Sequence, residues 1–491
     1  MTAGEPLRLS SASGRWTLLA CVLGSGIAGI DATVVNIALP NIGRDLNVSF
    51  SSLQWTITAY TLTLASFILL GGSLGDRFGR RRIFVTGMIW FGVTSLLCAL
   101  APTAGLLIAA RALQGVGGAL MTPASLAIIQ ASFADTDRTK AIGAWSGLGG
   151  TTSAIAPFLG GWLIAVGSWR WVFLINPPLC AIVILLSLRH IPETIDSEPH
   201  GRLDIVGSLL GVLGLGGITA GVIAAADDSL LSAPVLVPFL VGVAGLAGFI
   251  LAERYEPNPM MPLKLFASRQ FSATNLVTLL LYAANSGSLL LLVVELETVA
   301  GFSALEAGTA LLPITVIMLL LAARFGAVAQ RFGPRLPMTI GPFVSAAGLG
   351  LLALLPVHAS YFRNVLPAMV VLGFGLAIFV APLTATVLGA VPAAHAGIAS
   401  GVNNAVARAA GLLSIAALPV IVGLTGDTYN NAHLFMTPYR HALWICAGLH
   451  VAGGLLSFAT VRNERHQQAA SATTAASVEL SGCSPQPAQA S

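Results

Sequence analysis

Charge is what this chain has least of. Of its 491 residues only 9% are Asp, Glu, Lys or Arg, while 55% are hydrophobic. A water-soluble domain carries about 25% charged residues, so this composition points to lipid as the solvent. Cysteine is also scarce. The five (Cys21, Cys98, Cys180, Cys446, Cys483) show no metal-like spacing, and four lie in apolar runs, which argues against a disulfide framework. A phosphate loop of the form G-x-x-x-x-G-K-[ST] is absent, which argues against an ATP-driven pump within this chain. The eight histidines include no H-E-x-x-H pair and no serine elbow stands out, so no enzyme chemistry is expected and no metal site. The net charge of +4 is scattered through short loops and forms no basic face, which argues against nucleic acid as a partner.

What is present is apolar length. A membrane span needs about 20 mostly apolar residues. Fourteen runs qualify: 16–38, 53–74, 83–101, 104–130, 141–166, 171–189, 205–226, 233–252, 273–299, 307–329, 336–356, 364–390, 397–424 and 441–461. The first continues past Asp31 and reads as a span, not as a removable leader. With both termini placed in the cytoplasm, eighteen of the 24 Lys and Arg fall on the inner side and four on the outer, with Arg111 and Arg408 inside spans. That asymmetry fixes the expected orientation in the cell membrane.

The chain also repeats itself. GGSLGDRFGRRR (71–82) returns as RFGAVAQRFGPR (324–335), so that Gly72, Arg77, Phe78, Gly79 and Arg81 recur as Gly326, Arg331, Phe332, Gly333 and Arg335. The copies close the second and tenth spans, both on the inner side. A six-plus-six duplication would place the second copy after the eighth span. Two helices, 205–226 and 233–252, are therefore expected as an insertion between the halves. Duplication within a membrane bundle points to transport.

Five motifs follow in order. The loop motif is Gly72, Leu74, Asp76, Arg77, Gly79, Arg80 and Arg81. The first span carries Asp31, Thr33, Val34, Val35, Asn36, Ala38, Leu39 and Pro40. The fourth carries Arg111, Gln114, Gly115 and Gly117, and the fifth Ala156, Pro157, Gly160 and Gly161. Before the sixth stands Trp169-Arg170-Trp171, with Phe173, Ile175, Asn176 and Pro178 following. Together they resemble the major facilitator superfamily, in particular its fourteen-helix drug:proton antiporter branch. The resemblance covers about residues 15–462. It implies an all-α integral membrane protein with an N-terminal bundle at 16–190, an inserted hairpin at 205–252 and a C-terminal bundle at 265–461. A cytoplasmic N-terminus (1–15) and a disordered cytoplasmic tail (462–491) complete the expected plan. The implied activity is proton-coupled efflux of small amphipathic or cationic compounds by alternating access. Its energy source is the proton gradient, without a cofactor, and the expected working form is a monomer. A dedicated carrier of one metabolite, amino acid, siderophore or lipid is the other activity this fold would host. Three departures stand out: Ala156 replaces the usual glycine of the antiporter motif, Gln330 stands where the first loop copy has Asp76, and Glu295 and Glu297 end the ninth span.

Physical reasoning assigns candidate roles. Asp31 reads as the carboxylate deep in a span, where an acid costs about 2.5–3.5 kcal/mol. It is expected to face the space between the halves as a proton and cation site; the competing role is a fixed acid paired with Arg111. If it were the sole deep acid, monovalent cations would be handled better than divalent ones. The resemblance gives Arg111 a part in proton coupling, while chemistry alone requires an acceptor such as Gln114 or a backbone carbonyl. Asp76, among Arg77, Arg80 and Arg81, is expected to face a helix N-terminus of the other half as a latch. Pro157, Gly160 and Gly161 suit bending and close packing. Glu295 and Glu297 lie about 200° apart on a helix, so that only one is expected to face the cavity. Arg408 reads as snorkelling from near a helix end, and Trp169, Trp171 and Trp444 as interfacial belt residues.

Overall fold

The computed structural model describes residues 7–195, 204–226, 228–256, 259, 261–391, 396–424 and 432–463. Arg202, Arg465, Cys483, His200, His395, His466 and the expected disordered tail beyond residue 463 lie outside the described residues. The helices are α1 (Ala12–Leu46), α2 (Phe50–Phe78), α3 (Arg80–Leu100), α4 (Ala104–Ser132), α5 (Asp135–Val166), α6 (Trp171–Leu174) and α7 (Asn176–His190), then α8 (Ile205–Ala224) and α9 (Ala233–Tyr255). They continue with α10 (Arg269–Thr298), α11 (Ala304–Ala310), α12 (Leu312–Phe332), α13 (Arg335–Ala353), α14 (Leu366–Gly389), α15 (Ala396–Ile421) and α16 (Ala432–Thr460). Among the described residues the only β pairing is an isolated bridge between Leu7 and Phe133. Among the described residues thirteen helical spans are long and apolar enough to cross a membrane, and α5 adds the apolar stretch Ile155–Val166.

Local chemistry explains where these helices break. Two expected continuous spans are interrupted, α6–α7 at Asn176-Pro177-Pro178 and α11–α12 at Leu312-Pro313. Proline has no N–H to donate backward, so the ladder opens there. Ser11, Ser49, Thr103, Asp204, Ser268 and Ser303 cap their helices with side-chain oxygens. Such caps satisfy donors that have no partner inside the helix.

The duplicated turn has a geometric cause. Gly79 and Gly333 adopt φ of 108° and 91° where α2 meets α3 and α12 meets α13. A Cβ at Gly79 would lie 2.6 Å from Glu193 Oε1, and one at Gly333 would lie 2.2 Å from Asn463 Oδ1. Each half folds the exit of its last helix back over its own turn: Arg81 N donates to Glu193 Oε1 at 3.1 Å, and Arg335 N to Asn463 Oδ1 at 3.2 Å. Gly79→Ala is therefore expected to cost about 1–3 kcal/mol, read as a lower thermal unfolding midpoint of the purified protein. An unchanged midpoint would show that the turn carries no strain.

Helices α1–α7 pack with one another, as do α10–α16. Close glycine crossings bring α8 against α9, and α8 also packs on both α2 and α15. The halves meet directly at the ends away from the duplicated turns. A Cβ at Gly161 would lie 2.5 Å from Ala304 O, and one at Gly308 would lie 2.3 Å from Pro157 O, so α5 and α11 touch backbone to backbone. Gln54 Nε2 of α2 donates to Ile415 O of α15 at 2.7 Å. Asn41 Nδ2 of α1 donates to Glu297 Oε2 of α10 at 3.4 Å.

Candidate functional site

Asp31 lies mid-way along α1 and is only 1% exposed. Its carboxylate is held by three side chains from two helices. Arg111 Nη1 of α4 donates to Oδ2 at 2.5 Å, while Gln114 Nε2 of α4 and Asn176 Nδ2 of α7 each donate to Oδ1 at 3.0 Å. Arg111 is fully buried; its Nη1 also reaches Gln114 Oε1 at 2.7 Å, and its Nε donates to Thr56 O at 3.1 Å. The guanidinium sits over the Tyr60 ring, 4.2 Å from the centroid. Asn176 Nδ2 further donates to Ser95 Oγ at 2.9 Å. Both charges are thus compensated inside the N-terminal half. Of the two arrangements expected for Asp31, the pairing with Arg111 is the one seen, and with two amides it draws the carboxylate into its own bundle.

Asp31 is also not the only deep acid, so the single-acid argument for monovalent cations no longer holds. Glu295 of α10 has no measurable exposure, and the Glu297 side chain is 3% exposed. Both are therefore enclosed, on different sides of α10. Glu297 turns towards Asn41 and Arg44 of α1, whereas Glu295 lies in electrostatic contact with Tyr439 of α16. Neither Glu295 oxygen has a hydrogen-bond partner among the described residues, nor does Tyr439 Oη. Glu253 of α9 is a further buried carboxyl, with Oε2 accepting from Met261 N at 3.0 Å. Asn36 stays apart from the Asp31 network: its Nδ2 donates to Ala32 O at 3.4 Å and its buried Oδ1 is unmatched.

Three comparisons place this geometry. The sequence pattern defined for the Major Facilitator Superfamily matches residues 21–415. The chain belongs to the major facilitator superfamily. It is 37% identical over 415 residues to a puromycin resistance protein of Streptomyces alboniger, covering 83% of this chain and 81% of that one. It is 33% identical over 416 residues to a tetracenomycin C resistance and export protein of Streptomyces glaucescens, covering 84% and 77% respectively. Its fold is similar, with a TM-score of 0.63 at 17% identity, to a bacterial homologue of the human lysosomal transporter Spinster solved inward-facing and unoccupied. That alignment covers 92% of this chain and 97% of the other. The molecule is a multi-pass membrane transporter.

Other motif residues of this superfamily member fall into place around the pair. Gly160 lets α5 approach α1, since a Cβ there would lie 2.7 Å from Val34 Cγ1, and Pro157 and Gly161 form the α5 side of the outer contact with α11. Gly72 leaves open space beside Pro123, where a Cβ would sit at 3.7 Å. Asp76 pairs with Arg80 of its own turn, Oδ1 accepting from Nε at 2.8 Å, in place of the expected helix N-terminus of the other half. One turn of separation favours this neighbour. Arg81 and Arg82 face Glu193, and Arg77 lies over Phe78.

Trp169 is no belt residue. It is 3% exposed, and its Nε1 donates to Asp45 Oδ2 at 2.9 Å, beside Arg170 at 2.6 Å from the same oxygen. Trp171 and Trp444, both 52% exposed, have the exposure expected of belt residues. Arg408 does not snorkel, because it lies mid-way along α15, well away from either interface. Asn176 and Tyr60 are the members of the site that sequence reasoning left without roles. The signal for Asn176 was present as an amide inside an apolar span, a position polar groups rarely occupy without a partner. For Tyr60 no local signal existed.

Proposed function

We propose that this transporter exports small amphipathic compounds from the cytoplasm in exchange for protons, by alternating access between residues 16–190 and 265–461. The names of its relatives, resistance to puromycin and resistance to and export of tetracenomycin C, support efflux as the direction. The observation that carries the coupling is Glu295. A buried carboxyl with two unmatched oxygens takes up and releases a proton without breaking a hydrogen bond. It stands two residues from Glu297, where the halves touch at Asn41. Asp31 is the second proton acceptor in this scheme, because a proton on its carboxyl would release Arg111 from the ion pair. No cofactor is required, the working form is a monomer, and both termini lie in the cytoplasm. One proton entering across 100 mV supplies about 2.3 kcal/mol, enough for a roughly 50-fold gradient of a neutral compound.

The test is uphill transport of a fluorescent amphipathic dye in proteoliposomes with an imposed pH gradient. Wild type is expected to concentrate the dye and to stop when nigericin collapses the gradient. Glu295→Gln is expected to equilibrate the dye but not to concentrate it, with at least a tenfold fall in accumulation. Full accumulation by Glu295→Gln would remove this residue from coupling, and dye movement insensitive to nigericin would end the antiport reading.

A further inference from the structure

Among the described residues, a guanidinium deep in the C-terminal half has a buried nitrogen without an acceptor. Arg408 lies on α15 of the C-terminal half, and its Nε is buried with no acceptor. The residue keeps part of its surface open. Arg408 shares a face of α15 with Gly401, where a Cβ would lie 2.7 Å from Leu69 Cδ2 of α2, and with Ile415, whose carbonyl accepts from Gln54 of α2, so the guanidinium is located between the halves, near the phenols of Tyr60 on α2 and Tyr282 on α10. No carboxylate among the described residues interacts with it. The contrast with Arg111 is chemical: that guanidinium has Asp31, Gln114 and a backbone carbonyl to itself. With Asp31 already neutralised by Arg111, the space between the halves is left with an uncompensated cation.

A permanently charged guanidinium is costly to leave inside a bundle unless something accepts its hydrogen bonds. Its planar set of five donors matches a two-oxygen anion such as a carboxylate. We propose that Arg408 is the anchor of a substrate-binding site for amphipathic compounds bearing an anionic oxygen group, a carboxylate, phenolate or enolate, with Tyr60 and Tyr282 flanking the apolar body. The position of Tyr60 gives the site a second property. The same ring lies beneath Arg111, so it stands between the substrate anchor and the Asp31 pair. A ligand displacing Tyr60 therefore disturbs the ion pair directly. This inference rests on the transport reading for its purpose and names the class of compound that reading leaves open.

The test is equilibrium binding to purified full-length protein in nanodiscs, without a pH gradient, so that its outcome does not depend on coupling. Carboxyfluorescein and rhodamine 123, xanthene dyes of opposite charge, serve as probes read by fluorescence anisotropy. Wild type is expected to bind the anionic dye at least tenfold more tightly. Arg408→Gln is expected to lose that preference by at least tenfold while its affinity for rhodamine 123 holds or rises. Arg408→Lys keeps the charge without the fork and is expected to retain part of the preference. Absence of an anion preference in wild type, or an equal loss for both dyes in Arg408→Gln at unchanged size-exclusion behaviour, overturns the assignment. If Arg408→Gln is not monodisperse, Arg408→Lys decides: unchanged binding of both dyes also overturns it. Failure of pH-driven accumulation with the anion preference intact strikes the antiport reading alone.

Discussion

Asp31→Asn is expected to cost the fold about 3–5 kcal/mol, the penalty of leaving one member of a buried ion pair without the other. Arg111 would keep its charge at zero exposure with no anion beside it, left to Gln114, the Thr56 carbonyl and the rings of Tyr60 and Phe173. The substitution is therefore not the quiet one that a carboxylate in an open cavity would allow. Loss of transport in this variant alone says nothing about protons, because misfolding produces the same result. The informative protein is Asp31→Asn with Arg111→Gln, which removes both charges and keeps amide hydrogen bonding. It is expected to recover most of the lost thermal midpoint and still to fail at uphill transport. A single Asp31→Asn variant as stable as wild type would show that the pair contributes nothing to the fold. A double variant that accumulates dye normally would take the pair out of coupling.

Gly161→Val is expected to disable the outer closure while leaving each half folded. The added side chain would begin 2.5 Å from Ala304 O and 2.7 Å from Leu305 Cα, both main-chain atoms that cannot swing aside. Overpacking of this kind costs about 1–3 kcal/mol. Here the penalty falls on the outward-closed state, so its population relative to the outward-open state should drop by roughly 5- to 150-fold. The prediction is read with a cysteine introduced at Asn41 and labelled from outside with a membrane-impermeant maleimide. Faster labelling with reduced transport is the expected pair of results. Labelling at the wild-type rate would mean that the α5–α11 crossing yields without opening. The same geometry gives the antiporter motif a physical content: Pro157 presents its carbonyl to Gly308, and Gly161 presents bare backbone to Ala304.

The span pattern was legible because hydropathy and arginine placement are summed over many residues, and no single side chain decides them. The inserted hairpin was legible for a related reason, since the distance between the copies of the turn counts helices. Gly79 and Gly333 could be matched in the sequence, but why they are glycines could not. Their reason is the side chain of Glu193 in one half and of Asn463 in the other, each more than 100 residues away. Pairings failed in the same manner. Asp31 could be singled out as a deep acid, yet its three partners come from α4 and α7, and orientation across helices has no signature in a local window. Trp169 and Arg408 were assigned by residue type and nearness to a span end. The tertiary structure overrode both assignments: Asp45 holds the first, and the length of α15 places the second at mid-helix.

One flank of the molecule differs from the other. Helix α8 rests on α2 and on α15, one from each half, so the seam between those two helices carries a cover. The seam of α5 with α12 has no comparable cover among the described residues. Under the proposed alternating access, α8 could not follow both of its hosts and would slide along one. Gly216 faces Leu62 of α2, where even a methyl group would stand 3.1 Å from Leu62 Cδ2, so that contact offers a smooth track. If the proposed substrates reach the protein from the bilayer, α8 would shutter one approach and leave the seam of α5 with α12 as the barer flank.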